Sequence, residues 1–189
     1  HGDKDYYVVK LLDKKVTPNA CITWSLNTDQ SVTTSNGNIT GQPETLSSGS
    51  TAPFMSVYGY NGGQQLWVGN TGWVQGAVDP LRYAEFNASP TPGNALNVSS
   101  VSFNYNDLPL GTDFNIIAFE VRYSTDNWST STQLGTTGFY LNTAVQTFNA
   151  PLNATVNSGG TFSVRIYPYA LKNGIAMTPT FATHKNVMI

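Results

Sequence analysis

The chain carries little charge, and its few cations form no cluster. Charged residues make up 11% of the 189 residues, against about 25% in an average soluble protein. The net charge is −2, and lysine is absent between Lys15 and Lys172. Nucleic acids and anionic membranes are both recognised by concentrated basic residues, so we expect neither partner. No apolar run approaches the ~20 residues that span a bilayer, so we also expect no membrane insertion.

Residues that commonly carry catalysis or bind metals are scarce. Histidine occurs only as His1 and His184, and Cys21 is the single cysteine. Zinc sites built on His and Cys need three or four ligands, so the count excludes them. It also excludes an internal disulfide, and Cys21 is predicted to be buried in a strand. No Gly-x-Ser-x-Gly motif supplies a nucleophile. These shortages predict a protein that is not an enzyme.

Neutral polar residues are abundant instead. Asn, Ser and Thr together number 58, and hydrophobic residues make up 40% of the chain. This composition supports a core and is typical of secreted all-β proteins, so we predict a secreted, extracellular or cell-surface location. Residues 1–15 hold seven charged residues and are predicted to form a linker or domain edge. Residues 16–189 are predicted to form one domain.

Period-2 alternation between turn signals predicts an all-β fold. The predicted strands are 20–27, 52–60, 81–88, 96–106, 114–125, 133–149, 160–169 and 180–188, and the 133–149 span is open to division into two strands by a bend at Gly138. Asn36-Gly37 is among the predicted turns. About eight antiparallel strands in this length indicate an antiparallel β-sandwich, and a jelly roll is the expected topology.

Alternation within the strands also predicts which residues face outward. Phe162, Val164 and Ile166 are expected to face the core, and so are Ala84, Phe86 and Ala88. If their strands are neighbours, one outer sheet face carries four charged residues, namely Glu85, Glu120, Arg122 and Arg165. Such a face forms either cross-strand ion pairs, which we favour, or a polar platform for a ligand.

Residues 58–73 combine four large aromatic residues with five glycines and four side-chain amides, and they carry no charge. This composition predicts a flexible polar loop that displays aromatic rings. Sugars have apolar ring faces and hydroxyl edges, so such a loop suits a sugar ligand. The alternative is that the rings pack over one end of the core. Trp24 is predicted to lie in the core, and Trp128 is predicted to cover one end of the sandwich.

Calcium is the one metal that the composition leaves open, because its oxygen ligands leave little trace in a sequence. Asp107 and Asp113 place two carboxylates on one predicted loop, and we name them as candidate ligands. Ordinary turns explain the same residues. No cofactor is required by anything in the sequence.

From about Ile22 to Ile189 the chain resembles the non-catalytic β-sandwich modules attached to secreted bacterial polysaccharide-degrading enzymes, including pectate lyases. The resemblance rests on strand and turn patterns at 23–26, 37–41, 64–73, 82–86, 98–103, 121–126 and 156–168. It implies binding of plant or algal polysaccharide, a covalently attached catalytic domain as partner, and a possible structural calcium ion. Leu66 stands beside Trp67 where another polar group is expected, so neutral and acidic glycans both remain open.

The sequence therefore predicts a carbohydrate-binding module. The predicted ligand-binding residues are four aromatic residues and four polar ones, namely Trp67, Trp73, Tyr58, Tyr60, Gln64, Gln65, Asn70 and Arg82. One alternative is a structural or adhesive sandwich that does not bind sugar. The other is a polysaccharide lyase or glycosidase, for which Glu85 and Glu120 are the candidate carboxylate pair.

Overall fold

The computed structural model describes residues 20–47, 55–60, 65–69, 76–108, 117–137, 145–170 and 181–189. These ranges form thirteen β-strands and contain no helix, so no helix in them could cross a lipid bilayer. The strands are β1 (Cys21–Trp24), β2 (Thr34–Asn36), β3 (Ile39–Gly41), β4 (Thr45–Leu46), β5 (Met55–Tyr60), β6 (Gln65–Gly69), β7 (Ala84–Pro90), β8 (Leu96–Leu108), β9 (Ile117–Ser124), β10 (Thr132–Thr136), β11 (Gln146–Val156), β12 (Phe162–Ala170) and β13 (Phe181–Met188).

The strands form two sheets in which every pairing is antiparallel. The first sheet has the order β11-β8-β13-β1-β2, with β6 paired to β13 and β5 to β6. The second has the order β10-β9-β12-β7-β3, with β4 also paired to β7. Gly37 has a φ of 84°, which favours glycine, and lies in the turn where the chain passes from β2 in one sheet to β3 in the other. The turn predicted at Asn36-Gly37 is confirmed.

The two sheets pack face to face around one core. Strand β12 buries Phe162, Val164 and Ile166 completely, which confirms their predicted inward direction. The rings of Trp24 and Phe86 meet across the sheets with centroids 5.4 Å apart. A second ring pair, Phe103 and Phe119, does the same at 6.2 Å. The predicted antiparallel β-sandwich is confirmed, and the jelly-roll connectivity stays a prediction.

The strand count differs from the prediction. The eight predicted spans correspond to nine strands, because 133–149 overlaps two separate strands, β10 and the first part of β11. Gly138, the predicted bend, lies outside the described residues, as does the predicted linker at 1–15. Strands β2, β3 and β4 were not predicted because two or three residues are too few to show alternation. Cys21 is only half-buried, because Ile22 and Trp24 occupy the inward positions of β1.

The loop predicted over residues 58–73 is wrong for 65–69, which form strand β6. Glycine and asparagine are depleted in strands, and their frequency in residues 58–73 favoured the loop. Strand β6 pairs with β5 on one side and with β13 on the other. These two pairings satisfy its backbone groups, and tertiary context of this kind overrides local propensity.

Candidate functional site

The outer face of the second sheet carries the four charged residues that alternation predicted. Arg165 on β12 lies opposite Glu85 on β7 and opposite Arg122 on β9. The Nε atom of Arg165 lies 2.6 Å from a Glu85 carboxylate oxygen, and that of Arg122 lies 2.5 Å from one of Glu120. The predicted cross-strand ion pair is confirmed for Arg165 and Glu85, whereas Arg122 pairs with Glu120 on its own strand, β9. Because each arginine has its own carboxylate, the two arginines can lie side by side without uncompensated repulsion.

Arg165 is also held between two aromatic rings. Its guanidinium carbon lies 3.8 Å from the ring centroid of Tyr83 and 3.9 Å from that of Trp128. Cation–π contacts of this kind strengthen when water is excluded, and only 19% of the Arg165 side chain is exposed. Trp128 lies in the turn after β9. Its contact with Arg165 therefore holds the Trp128 ring against the surface of the sheet. Trp128 was predicted to cover an end of the sandwich, whereas it packs on this sheet face.

The turn that presents Trp128 has unusual backbone geometry. Asn127 and Trp128 both have left-handed conformations, with φ of 55° and 64°. Asparagine tolerates this region, but for a bulky side chain such as tryptophan it costs about 1–2 kcal/mol. The Trp128 indole Nε1 is buried and has no acceptor among the described residues. Strain and an unsatisfied donor at one residue are features that concentrate at functional sites.

A hydrogen-bond network holds this turn in place. The Ser124 hydroxyl donates to Asp126 Oδ1 at 2.8 Å and accepts from the backbone N–H of Trp128 at 2.9 Å. Thr130 donates to both Asp126 oxygens, from its hydroxyl at 2.7 Å and from its backbone N–H at 3.0 Å. These bonds, first those from Thr130 and then that from Ser124, lower the pKa of Asp126. The carboxylate therefore stays ionised and keeps organising the turn at neutral pH.

A cleft of about 310 Å³ opens beside Trp128. This volume is at the lower end of the range of small-molecule pockets. Strands β7 and β12 are paired here, with Asn87 opposite Ser163, and the turn adds Asn127 and Trp128. The lining combines one indole ring with amide, hydroxyl and carboxylate groups, contributed by Gln42, Glu85, Asn87, Ser89, Asn127, Trp128, Thr161 and Ser163.

The polar groups of the cleft are held in place by hydrogen bonds, and several of them keep donors or acceptors that a ligand could use. Asn87 Nδ2 donates to Glu85 Oε1 at 3.0 Å, which leaves its second N–H and its carbonyl oxygen for other partners. The hydroxyls of Ser89 and Thr161 lie 3.0 Å apart and share one hydrogen bond, so one hydroxyl proton is left over. Gln42 is exposed, and its backbone is fixed by bonds to the Trp24 indole and to the Asn87 carbonyl. The cleft can therefore both donate to and accept from a hydroxyl-bearing ligand.

Most of the residues that line the cleft carry no sequence pattern that marks them as ligands. The signal that could have found them is the outward phase of the two strands, which places Glu85, Asn87 and Ser89 on one side of the pairing and Ser163 on the other. A run of polar residues on one sheet face is ordinary for a solvated surface. Such a run indicates a binding site only when the position of Trp128 beside it is also known.

The structure describes only some of the residues that were predicted to bind the ligand. Tyr58 and Tyr60 lie on β5, and Gln65 and Trp67 lie on β6, where Trp67 pairs with Val57 and Ala182. The side chains of these four residues are outside the described part of the chain, as are Gln64, Asn70 and Trp73 altogether. Their predicted contacts with sugar stay predictions.

Arg82 is described, and it lies in a different setting from the one predicted. It is 7% exposed, and its Nε lies 3.1 Å from Asp79 Oδ2. The second oxygen of Asp79 accepts from the backbone N–H of Leu81 at 2.9 Å. Arg82 therefore braces the turn before β7, and it does not line the cleft. To bind sugar, Arg82 would have to give up its contact with Asp79 in favour of a sugar hydroxyl.

The two candidate calcium ligands are not brought together by the described structure. Asp107 lies on β8, where its backbone pairs with Ala182 and its side chain is not described, and Asp113 is outside the described ranges. Within those ranges, no group of three or more His, Cys, Asp or Glu side chains could hold a metal ion. Calcium stays a prediction without a ligand geometry.

Comparisons with known proteins give structural likeness only. No protein-family model matches the sequence, and the search of curated proteins gave no significant match. A family 29 carbohydrate-binding module aligns with a TM-score of 0.43 and 8% identity over 89% of this chain and 87% of that one. A family 29 module complexed with cellulohexaose also gives 0.43 and 8%, over 89% and 90% of the two chains. The family 32 module of C. perfringens NanJ, in complex with galactose, gives 0.33 and 17% over 87% of this chain and 100% of that one. Similarity this weak assigns no function, so the function rests on this chain's own residues.

Proposed function

We propose that this protein is a non-catalytic carbohydrate-binding module and that the cleft beside Trp128 binds a sugar unit. The observation that carries the proposal is the presentation of Trp128, which is held in a strained turn and stacked on Arg165 at the edge of a polar cleft. A residue that only covered the sheet would need neither the strained backbone nor the polar surroundings.

The chemistry of the cleft matches the two kinds of surface that a sugar offers. The apolar face of a pyranose ring can pack against the indole, and its hydroxyl edges can bond the amides and hydroxyls of Asn87, Ser89 and Thr161. Asn87 and Ser89 lie on β7, and Thr161 immediately precedes β12, the strand that pairs with β7 above the core. Their positions are set before a ligand arrives, so binding costs little additional ordering.

Binding without catalysis is the function that the described carboxylates favour. A glycosidase needs one carboxyl group free to give up or take a proton, whereas Glu85 and Glu120 are each paired with an arginine. Tyr167 stays protonated at neutral pH and is not available as a base, because burial raises its pKa although the hydrogen bond from Arg165 opposes the shift.

The finer predictions belong to the same proposal. The sequence resemblance supports a plant or algal polysaccharide as ligand and an attached catalytic domain that the module would hold near its substrate. The neutral polar composition supports secretion. The aromatic residues of 58–73, with Trp67 and Trp73 foremost, would form a second contact region or, in the competing case, the main one.

Affinity gel electrophoresis against soluble polysaccharides, followed by calorimetry on those that retard the protein, tests the proposal. Trp128→Ala should lower affinity at least tenfold. Gln42→Ala should lower it about 2- to 10-fold, the value of one hydrogen bond, and it leaves intact the backbone bonds that Gln42 makes. Thr147→Ala, on the outer face of the first sheet, is the matched control and should bind like the parent.

Three outcomes would decide against parts of the proposal. If no polysaccharide binds, the function is wrong. If Trp67→Ala with Trp73→Ala abolishes binding and Trp128→Ala does not, the sugar binds at 58–73 and the cleft is not the site. If a glycan is turned over, and Glu85→Gln or Glu120→Gln abolishes turnover, the protein is an enzyme.

A further inference from the structure

The cleft beside Trp128 has one ionisable lining residue, and it is an acid. Of the eight residues that line it, Glu85 alone carries a charge at neutral pH, and neither lysine nor arginine is among them. The Glu85 side chain is 15% exposed, so its carboxylate is partly shielded from water. Charges in such a setting act more strongly on a bound ligand than charges in open solvent do.

The neighbouring cation is poorly placed to receive an anion. Arg165 uses its Nε on Glu85, and the two faces of its guanidinium are covered by Tyr83 and Trp128. Arg122, the next cation on this sheet face, directs its Nε to Glu120. Neither arginine is among the residues that line the cleft, so a ligand carboxylate there would meet the Glu85 carboxylate and no guanidinium edge in the lining.

A neutral hydroxyl, in contrast, finds an acceptor there. The Glu85 carboxylate accepts one bond from Arg165 and one from Asn87. A carboxylate offers about four acceptor positions, so two remain for ligand hydroxyls. Hydrogen bonds to an ionised acceptor are roughly twice as strong as those between neutral groups.

We infer that the cleft selects neutral, hydroxyl-rich glycans and rejects uronic acids, and that Glu85 is the residue that sets this specificity. The inference rests on the proposed function, because it names the ligand class of the same cleft. It also decides between the neutral and acidic glycans that the sequence left open.

Calorimetry with a neutral galactomannan, a neutral xyloglucan and the acidic polymers polygalacturonate and alginate tests the inference. At low salt at least one neutral polymer should bind ten or more times as tightly as either acidic polymer. The difference should narrow at high salt, which screens charge. Glu85→Gln keeps the shape of the side chain and removes its charge. It should reduce the ratio of neutral-polymer affinity to acidic-polymer affinity at least fivefold. Glu120→Gln removes a charge from the same sheet face outside the cleft, and it should leave the ratio unchanged. Thermal unfolding confirms that both variants are folded.

The outcomes separate the inference from the proposed function. If an acidic polymer binds as tightly as any neutral one, and Trp128→Ala removes that binding, the cleft is a sugar site but the inferred ligand class is wrong. If Glu85→Gln leaves the ratio unchanged, or Glu120→Gln shifts it equally, Glu85 does not set the specificity. If none of the polymers binds, the proposed function fails and the inference fails with it.

Discussion

The contact between Trp128 and Arg165 should be measurable as an energetic coupling. The structure places the guanidinium carbon 3.9 Å from the Trp128 ring centroid, 3.8 Å from the Tyr83 centroid, and the Nε 2.6 Å from a Glu85 oxygen. Replacing Arg165 by alanine removes all three interactions together. Replacing Trp128 by alanine removes one ring contact and keeps the ion pair.

The expected magnitudes follow from these contacts. Two cation–π contacts at a mostly shielded site contribute about 1 kcal/mol each. Leaving Glu85 without its charged donor costs about 1–3 kcal/mol, with the lower end favoured because the pair retains some solvent contact. Arg165→Ala should therefore destabilise the domain by about 3–5 kcal/mol once lost packing of the side-chain stem is included. The coupling between Trp128 and Arg165 should be about 1 kcal/mol.

A double-mutant cycle gives this coupling directly. The free energy of unfolding is measured by urea denaturation, followed by circular dichroism, for the parent, Trp128→Ala, Arg165→Ala and the double variant. The double variant should be about 1 kcal/mol more stable than the sum of the single losses requires. A coupling within about 0.3 kcal/mol of zero, which is the usual limit of additivity, would show that the stacking contributes nothing and that Trp128 is not fixed by Arg165.

A second comparison within the same series isolates backbone strain. Trp128→Gly and Trp128→Ala both lack the ring, but glycine adopts a φ of 64° without a steric cost. The glycine variant should be the more stable by about 1 kcal/mol. If alanine is equally stable, the left-handed conformation stores no strain, and one support for a functional role of the turn is lost.

Three further predictions concern the turn and the sheet face. Ser124→Ala removes the acceptor of the Trp128 N–H, so unfolding by urea should show a loss of about 1–3 kcal/mol, and calorimetry should show weaker glycan binding. Hydrogen bonds lower the pKa of Asp126 in the folded protein. The stability that the ionised carboxylate contributes is complete above the pKa of about 4 that Asp126 has in the unfolded chain, and it is lost as pH falls through the lowered value. Asp126→Asn should therefore flatten the dependence of the free energy of unfolding, measured with urea, on pH below 5. Burial raises the pKa of Tyr167. The stability gained from its protonated form is present below about pH 10 and is lost as pH rises through the raised value. Burial also raises the pKa values of Tyr105 and Tyr169, so ultraviolet titration should show several late-titrating tyrosines, and Tyr167→Phe should remove one of them.

The part of the fold that the sequence predicted is the part governed by strict alternation. In β12 the pattern around Phe162, Val164 and Ile166 is uninterrupted, and burial of those three side chains requires Ser163 and Arg165 to face outward. Hydrophobic burial on one face fixes which residues of a strand point inward and which point outward. The same alternation therefore also predicted the charged outer face. The ion pair between Arg165 and Glu85 needed one more condition, the adjacency of β7 and β12, which the sequence does not encode locally.

The features that were missed depend on partners distant in sequence. Strand β6 exists because β5 and β13 pair with it, not because Gln65 or Gly69 favours a strand. The cleft beside Trp128 needs Gln42, Asn87 and Thr161, which are far apart along the chain and are brought together by the sheet. The conformation of Trp128 is the hardest case, since tryptophan gives no signal for a left-handed backbone, and only the network of Ser124, Asp126 and Thr130 makes it tolerable.

The two walls of the cleft differ in what holds them, and this difference bears on how binding can be changed. The strand wall, with Asn87 and Ser163, lies on the outer side of strands whose inner residues, such as Phe86 and Phe162, are fully buried. Its geometry therefore changes only if the core changes. The other wall depends on a turn of a few residues, fixed by hydrogen bonds and by Arg165. Substitutions in that turn can reposition Trp128 and leave the core residues unchanged, so the turn is the place where ligand preference can vary without repacking the sandwich. The cost in stability is then limited to the turn's own hydrogen bonds and its contact with Arg165.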